Sequence, residues 1–209
     1  MHTIAILPVK SFPNAKQRLS HGVEPELRRQ LAEAMLYDVL GALRLTAVDQ
    51  VIVVTAGKDG ARIAREHDAT VVRDREQGHN AAAACGVEEA VRLGAERALL
   101  VPGDCPALDP TEVNELIQSG PRAPSVVIVP DRHGTGTNAL LITPPDALEP
   151  AFGPGSCQRH AALARAAGIA HEIASIPSLA LDIDTPDDLG ALDELPDRGL
   201  RTHALLSRC

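Results

Sequence analysis

The chain has no tryptophan, and one tyrosine and two phenylalanines are its only aromatic residues, so it offers little for stacking nucleic-acid bases. It also has no basic block: 28 acidic and 20 basic residues give a formal net charge of -8, which would repel a polyphosphate backbone. No apolar run reaches the roughly 20 residues of a membrane span, and no signal-peptide pattern precedes the first apolar run. We therefore expect a cytoplasmic protein without a nucleic-acid or membrane partner.

Three chemical fingerprints are absent as well. The chain has no G-x-G-x-x-G after its first apolar run, no G-x-x-x-x-G-K-[ST] and no G-x-S-x-G. Its four cysteines lack C-x-x-C spacing, which disfavours a structural zinc site and a disulfide framework. Hydride transfer, P-loop hydrolysis and the serine chemistry of α/β-hydrolases are therefore disfavoured.

What the sequence does contain is a regular alternation of apolar runs and helical patterns. Thr3–Val9 and Gln50–Thr55 are short apolar runs typical of buried strands, and Glu24–Arg44 repeats apolar residues every three or four positions, as an amphipathic helix does. Strands that alternate with helices predict a Rossmann-like α/β layer sandwich with a mostly parallel central sheet. A length of 209 residues fits a single domain over 1–209.

An aspartate follows the most apolar of these runs. Ala98–Pro106 (A-L-L-V-P-G-D-C-P) predicts a buried strand that ends before Asp104, and open α/β sheets bind ligands beyond the carboxyl ends of their strands. A second acidic pair, Asp182 and Asp184, comes at the end of another predicted strand, Leu179–Ile183. Residues i and i+2 of a strand share a face, so the pair could complete a site for a hard cation.

Two polar segments are candidates for contacts with a nucleotide. Lys10, Lys16 and Arg18 form the densest positive cluster of the N-terminal half, in a loop that could wrap a triphosphate or could simply be solvated. In R-D-R-E-Q-G-H-N, His79 or Asn80 could cap the following Ala-rich helix, whose free N–H groups could meet an anion or a base edge.

Two glycine-containing segments are candidates for the second substrate. P-D-R-H-G-T-G-T-N follows a predicted strand and could hold a ligand or form a tight turn. In F-G-P-G-S-C-Q-R-H, the turn at Gly153 precedes Ser156 as a predicted helix cap, with Arg159 and His160 in the first turn. This arrangement fits a phosphate or carboxylate site, although Gly and Ser also begin ordinary helices.

Other acidic residues are interpreted as helix caps and not as ligands. Asp109 precedes Pro110 and fits a cap with a first-turn proline, while Asp187 and Asp188 follow Thr185-Pro186 and fit a helix N-terminus. The tail from residue 196 to 209 has no clear periodicity, and we assign it no function.

Five strings together carry a resemblance: L-P-V-K-S-F-x-N-A-K-Q-R-L-S, V-P-G-D-C-P-A-L-D-P, P-D-R-H-G-T-G-T-N-A-L, F-G-P-G-S-C-x-R-H and L-D-I-D-T-P-D-D-L. In this order they resemble the guanylyltransferase family of coenzyme F-420 biosynthesis, which acts on 2-phospho-L-lactate or phosphoenolpyruvate. The resemblance implies a nucleotidyltransferase of the nucleotide-diphospho-sugar transferase-like fold, related to the molybdopterin guanylyltransferases. Such an enzyme joins GTP to a small phosphorylated carboxylic acid and releases diphosphate.

The same resemblance implies a role for particular residues. It makes Mg²⁺ ligands of Asp104, Asp182 and Asp184. It assigns contacts with the GTP phosphates to Lys10, Lys16 and Arg18. It makes the same three residues and Asp104 the catalytic residues. It assigns the phosphate or carboxylate of the acid to Thr137, Gly153 and Ser156, with Arg159, His133 and Asn138 as neighbours. It assigns the nucleoside to Gln77, Gly78 and Asn80, beside Lys10.

Several alternatives remain open from the sequence. Another Mg²⁺-dependent nucleotidyltransferase, acting on a sugar phosphate or molybdopterin, would use a similar set of residues, as would a D-x-D glycosyltransferase or a non-catalytic GTP-binding scaffold. The acid could be phosphoenolpyruvate, 2-phospho-L-lactate or 3-phosphoglycerate; the Ala- and Arg-rich composition favours a bacterial source and hence phosphoenolpyruvate. A downstream transferase that accepts the product is a candidate partner, and a homodimer is compatible with the sequence.

Overall fold

The computed structural model describes residues 1–12, 24–195 and 197–207. Within these residues the strands are β1 Thr3–Pro8, β2 Gln50–Thr55, β3 Thr70–Arg73, β4 Arg97–Leu100, β5 Ser125–Pro130, β6 Thr137–Thr143 and β7 Ala170–Ile173. The helices are α1 Pro25–Leu43, α2 Lys58–Glu66, α3 His79–Arg92, α4 Pro110–Ser119, α5 Ser156–Ala166, α6 Pro177–Ala180, α7 Pro186–Asp193 and α8 Leu200–Leu206.

The seven strands form one sheet in the order β3-β2-β1-β4-β6-β5-β7. Strand β6 runs antiparallel to its neighbours β4 and β5, whereas the other neighbouring strands are parallel, which confirms the predicted mostly parallel sheet. Because β6 is reversed, its first residues lie at the edge where β4 and β5 end; Thr137 pairs with Pro130, the last residue of β5. That edge therefore receives side chains from both kinds of strand.

The order of the strands reverses at β1. The chain leaves β1 for β2 and β3 on one side and then returns to β4 on the other side. The loops that follow β1 and β4 therefore lead in opposite directions and leave a crevice at the carboxyl ends of these strands, which is where open α/β sheets bind ligands. Lys10 and Asp104 follow these two strands.

Alternate residues of the strands fill two hydrophobic layers. Leu7 and Leu99 face the layer that contains α1, α2, α4 and α7, while Ile6 and Leu100 face the layer that contains α3 and α5. Helix α3 lies so close to β1 that a Cβ on Gly86 would overlap the Ile6 side chain. The predicted layer sandwich is thus present, with helices on both faces of the sheet.

One sequence prediction about secondary structure is wrong. Leu179–Ile183 was expected to be a strand, but its first residues belong to α6 and the rest is extended without pairing in the sheet. Pro177 occupies the first turn of α6, where its fixed φ favours a helix, and a short apolar run alone does not separate helix from strand.

The tail, which has no clear periodicity in sequence and for which no element was predicted, contains α8. Asp38 of α1 accepts hydrogen bonds from the backbone N–H groups of Arg201 and Thr202 and from the Thr202 hydroxyl. A seven-residue helix needs such tertiary contacts because its own propensity is insufficient. None of the helices that the structure describes has the length and apolar character needed to cross a bilayer.

Candidate active site

A cavity of about 620 Å³ opens at the carboxyl edge of the sheet, in the crevice beside β1 and β4. Five segments that are distant in sequence supply most of its lining, and residues of α1, His79 and Asp131 supply the rest. The five segments follow β1 and β4, begin β6, form the glycine turn before α5, and precede α7. The cavity therefore gathers most of the segments that the sequence selected.

Three carboxylates form one side of this cavity, and we call Asp104, Asp182 and Asp184 the acidic wall. The backbone joins them: the N–H of Ile183 donates to the carbonyl oxygen of Asp104 at 3.0 Å. Burial alternates along this segment: Leu181 and Ile183 are buried, whereas Asp182 and Asp184 are half-buried. Both aspartates therefore lie on the face of the segment that lines the cavity. The two acids share a face as predicted, although the segment is not a strand.

The carboxylates of the acidic wall lie close enough to interact electrostatically. Burial raises the pKa of Asp182, and the negative charges of Asp104 and Asp184 raise it further, while a hydrogen bond from Asn138 acts in the opposite direction. Mutual repulsion of this kind is relieved when a cation binds. Within residues 1–12, 24–195 and 197–207, no group of three or more His, Cys, Asp or Glu side chains is arranged to hold a metal ion by itself.

Two residues hold the segment that carries Asp182 and Asp184. The Asn138 amide donates to Oδ1 of Asp182 at 3.1 Å and to the carbonyl oxygen of Leu179 at 2.9 Å. Oδ2 of Asp188 accepts the N–H of Asp184 at 3.0 Å, and Oδ1 of Asp188 lies 2.8 Å from the guanidinium of Arg132. Asn138 therefore orients an acid of the wall, in addition to lining the cavity.

The predicted helix caps of this region are confirmed. Asp188 forms a capping box with Thr185 at the start of α7, and Asp109 accepts the N–H of Thr111 at the start of α4. Neither side chain lines the cavity.

Thr137 and Ser156 also line the cavity, and we call this pair of hydroxyl-bearing residues the hydroxyl end. Ser156 is the first residue of α5 and is 1% exposed, and its Oγ has no hydrogen-bond partner among the residues described. The prediction that Ser156 caps α5 is wrong, because the cap is Gly155 with a left-handed φ of 70°. An unpartnered buried hydroxyl beside a helix N-terminus is a favourable place for an oxyanion.

The glycine turn before α5 completes the hydroxyl end. Gly153 lines the cavity and has a φ of 121°, which favours glycine. The guanidinium of Arg159 donates to the carbonyl oxygens of Ala151 at 3.0 Å and Pro154 at 3.2 Å, so it holds the turn and does not line the cavity. His133, another predicted neighbour, is exposed and also lies outside the cavity lining.

A smaller cavity of about 190 Å³ adjoins the first, and Lys10 and His79 line both. Of the residues predicted to contact the nucleoside, Gly78 lines the smaller cavity, whereas Gln77 and Asn80 line neither. Both ends of the Asn80 amide bind the backbone of Phe152, at 2.7 and 3.2 Å.

The N-cap of α3 is Gly78, with a φ of 103° and no side-chain cap, so the prediction that His79 or Asn80 caps this helix is wrong. Lys16 and Arg18, the other predicted phosphate contacts, lie outside the described residues.

Two titratable residues of the cavity lining, His79 and Asp131, were not among the site residues selected from the sequence. The structure places His79 in both linings, where surrounding protein atoms and the charge of Lys10 lower its pKa. Asp131 also lines the larger cavity, and its carboxylate accepts the N–H groups of Thr135 and Gly136 at 2.9 Å each. The Asp131 signal was available, since Asx side chains commonly close turns in loops that contain glycine.

Two solved structures of similar fold are described as a nucleotide-diphospho-sugar transferase and as a nucleotidyl transferase. A protein from Desulfovibrio desulfuricans described as a nucleotide-diphospho-sugar transferase matches with a TM-score of 0.78 at 17% identity, over 100% of this chain and 95% of its own. A nucleotidyl transferase from Methanothermobacter thermautotrophicus matches with a TM-score of 0.67 at 20% identity, over 96% and 99%. The fold is thus that of the nucleotidyltransferases.

Within that class, sequence comparison shows the family. Residues 3–199 match the family described as guanylyl transferase CofC-like, and the chain belongs to it. A phosphoenolpyruvate guanylyltransferase of Conexibacter woesei is 54% identical over 93% of this chain and 89% of its own. A 2-phospho-L-lactate guanylyltransferase of Methanothermobacter thermautotrophicus is 36% identical over 98% and 88%. These findings confirm the resemblance inferred from the five strings.

Proposed function

We propose that this chain transfers the guanylyl group of GTP to phosphoenolpyruvate and releases diphosphate, as a step of coenzyme F-420 biosynthesis. The observation that carries the proposal is the presence of an acidic wall and a hydroxyl end in one cavity at the point where the sheet reverses. Family membership supports the guanylyl transfer, and the 54% identical relative named for phosphoenolpyruvate favours that acid. The relative named for 2-phospho-L-lactate makes that acid the second candidate.

The acidic wall fits Mg²⁺ by its chemistry. Carboxylate oxygens are the ligands that this hard cation prefers, and in nucleotide sites one or two carboxylates are usually joined by waters and substrate phosphates. Asp104, Asp182 and Asp184 would hold the ion. When bound there, Mg²⁺ would neutralise charge on the phosphate oxygens of GTP.

The residues of the chain then have to bring two anions together. The attacking group is the phosphate of the acid, already largely dianionic at pH 7 because its second pKa is about 6, so no general base is needed. An oxygen of this phosphate forms a bond to the α-phosphorus of GTP, and the bond from that phosphorus to the bridging oxygen of the leaving diphosphate breaks. Thr137, Ser156 and the glycine turn would orient the acid, and Lys10 would face the charge that develops on diphosphate.

Diphosphate release tests this proposal directly. The protein is incubated with GTP and Mg²⁺ and with phosphoenolpyruvate, 2-phospho-L-lactate or 3-phosphoglycerate, and ATP and CTP replace GTP as controls. We expect release with GTP and phosphoenolpyruvate only. Release with 2-phospho-L-lactate alone would transfer the proposal to that acid, and GTP binding without release from any acid would favour a scaffold.

A further inference from the structure

The sequence placed His160 in the first turn of a predicted phosphate or carboxylate site, but its side chain does not line the cavity and lies behind the hydroxyl end. Its side chain is 0% exposed, and both ring nitrogens have partners. The backbone N–H of Ala151 donates to Nε2 at 2.9 Å, while Nδ1 lies 3.0 Å from the hydroxyl oxygen of Thr137. The Phe152 ring and the imidazole pack edge to face, with ring centroids 5.4 Å apart.

These contacts fix the position of the imidazole proton. A backbone N–H can only donate, so Nε2 of His160 is an acceptor and carries no proton. A neutral imidazole has one N–H, which must therefore be on Nδ1 and must donate to the oxygen of Thr137. The ring is neutral at pH 7, because burial and the nearby Arg159 lower the pKa of His160 to about 4.

The proton position at His160 determines what Thr137 can do. Its hydroxyl oxygen already accepts a hydrogen bond from the imidazole, so its own O–H is left to donate elsewhere. In the part of the chain that the structure describes, this O–H has no acceptor, and Thr137 lines the cavity. The unpartnered Oγ of Ser156 lines the same end. Both hydroxyls are thus available as donors to a ligand oxygen.

We propose that His160 is a positioning residue that keeps the Thr137 hydroxyl as a hydrogen-bond donor to an anionic oxygen of the acid substrate. The inference rests on the proposed function for the identity of the substrate. It assigns a different role to each ring nitrogen of His160. Nε2 accepts the N–H of Ala151 and so holds the backbone next to the glycine turn, while Nδ1–H orients the Thr137 hydroxyl. His160 therefore connects the two parts of the hydroxyl end without contacting substrate.

The proton position is tested first on the ligand-free protein, where the reaction plays no part. Long-range ¹H–¹⁵N NMR correlations distinguish the two neutral tautomers, and the spectrum of His160→Gln identifies the signals of this residue among the eight histidines. We expect the proton on Nδ1 at pH 7. A proton on Nε2, or a doubly protonated ring, would overturn the inference.

Kinetics then test whether the proton matters for the acid. In His160→Asn the side-chain amide can still donate to Thr137, whereas in His160→Gln it reaches only the position of Nε2 and can accept from Ala151. We expect His160→Gln to raise the KM for phosphoenolpyruvate about tenfold, the cost of losing one oriented hydrogen bond to a charged group, with the KM for GTP unchanged. His160→Asn should keep a KM for the acid near that of the wild type.

A double-mutant cycle separates positioning from structural damage. If His160 acts through Thr137, then His160→Gln should add little to the KM for the acid in a Thr137→Val background. Additive effects, equal effects of the Asn and Gln variants, or a parallel rise in the KM for GTP would contradict positioning through Thr137.

Failure of the proposed function has a different signature. In that case the wild type releases no diphosphate with any acid, and calorimetric affinities for phosphoenolpyruvate replace KM in the same set of variants. A wild type that is active, combined with a His160→Gln variant of unchanged KM, would overturn the inference about His160 alone.

Discussion

The acidic wall and the hydroxyl end of the cavity differ in charge and in the kind of ligand that each could bind. The acidic wall places three carboxylates close enough that two of them raise the pKa of the third. The hydroxyl end has no formal charge and holds a buried hydroxyl without a partner in the described residues, beside the N-terminus of α5. The first needs a cation and the second needs an anion, so each side is completed by a different ligand.

This difference indicates how one cavity can bring two anionic substrates together. A site that was positive throughout would bind both anions but would not distinguish their positions. Here the carboxylates that would need a cation are those of the acidic wall, which follow β4 and precede α7. The hydroxyl groups of Thr137 and Ser156 are the donors proposed to bind the acid. Substitutions on the two sides should therefore affect different kinetic constants, and the following predictions test that separation.

The largest effect is expected at the acidic wall. Asp104→Asn removes a proposed Mg²⁺ ligand while keeping the size of the side chain, and diphosphate release should fall by at least about a thousandfold with the fold intact by circular dichroism. Asp187→Asn is the control, because Asp187 is exposed, lies close in sequence to the wall and does not line the cavity. Near-normal turnover in Asp104→Asn would remove this side from the reaction.

The two sides should also respond to acid in opposite directions. The pKa of His160 is about 4 in the folded protein, against an ordinary value of 6.5, so the unfolded chain takes up the proton more readily between these values. Stability should fall as pH drops from about 6.5 to about 4, by at most about 3.5 kcal/mol at about 1.4 kcal/mol per pH unit. The raised pKa of Asp182 acts in the opposite sense, because protonation in acid relieves the repulsion within the wall.

Urea unfolding of the wild type and His160→Gln between pH 4.5 and 7.5 measures this effect. This range covers most of the interval in which folded and unfolded His160 differ in charge, at roughly pH 4 to 6.5. The variant should be less stable at pH 7 but should lose less stability on acidification. The stability of the variant should still fall somewhat in acid, because the pKa of His79 is also lowered in the folded protein. Parallel curves for the two proteins would show that His160 is not buried in its neutral form.

A smaller effect is expected at the hydroxyl end. Ser156→Ala removes a buried hydroxyl that has no described partner of its own, so stability should change little, while the KM for the acid should rise about tenfold. Ser178→Ala is a matched control, because Ser178 is also buried with an unpartnered hydroxyl but does not line the cavity. If the two variants had the same KM for the acid, the proposed contact between Ser156 and the substrate would be wrong.

The smallest effect concerns stability in the absence of metal. Asp182→Asn removes one of three repelling charges, so in the presence of a chelator its Tm should exceed that of the wild type, increasingly as pH rises above the ordinary pKa of an aspartate. Added Mg²⁺ should reduce this difference, because the ion would stabilise the wild type more than the variant. A lower Tm for the variant with chelator would contradict repulsion within the wall.

Much of the fold could be predicted from local patterns. Short continuous apolar runs identified β1 and β2, the helical spacing of apolar residues identified α1, and the proline and acidic signals at Asp109 and Thr185 identified the starts of α4 and α7. These signals are local, because a cap or an amphipathic face is defined by residues a few positions apart. Leu179–Ile183 and α8 were not predicted, because their structure depends on contacts with distant parts of the chain.

The candidate site divides in the same way. The sequence selected Asp104, Asp182, Asp184, Thr137 and Ser156, and the structure brings all five to one cavity. It could not show that Arg159 and Asn80 use their side chains on nearby backbone, because the hydrogen-bond partners of an exposed side chain depend on how loops meet. His79 and Asp131 likewise line the cavity because the tertiary structure brings their segments together.

By itself, then, the sequence determined the class of fold, the family and the chemical types of group at the site, since these depend on composition, periodicity and motif. The tertiary structure decided which groups face one another. The reversal of β6 places Thr137 opposite the end of β5, and the return of the chain from β3 to β4 places Asp104 across the crevice from Lys10. The tautomer of His160 in α5 is decided at the same level, because a backbone N–H nine residues away in sequence and a hydroxyl from β6 determine which nitrogen carries the proton.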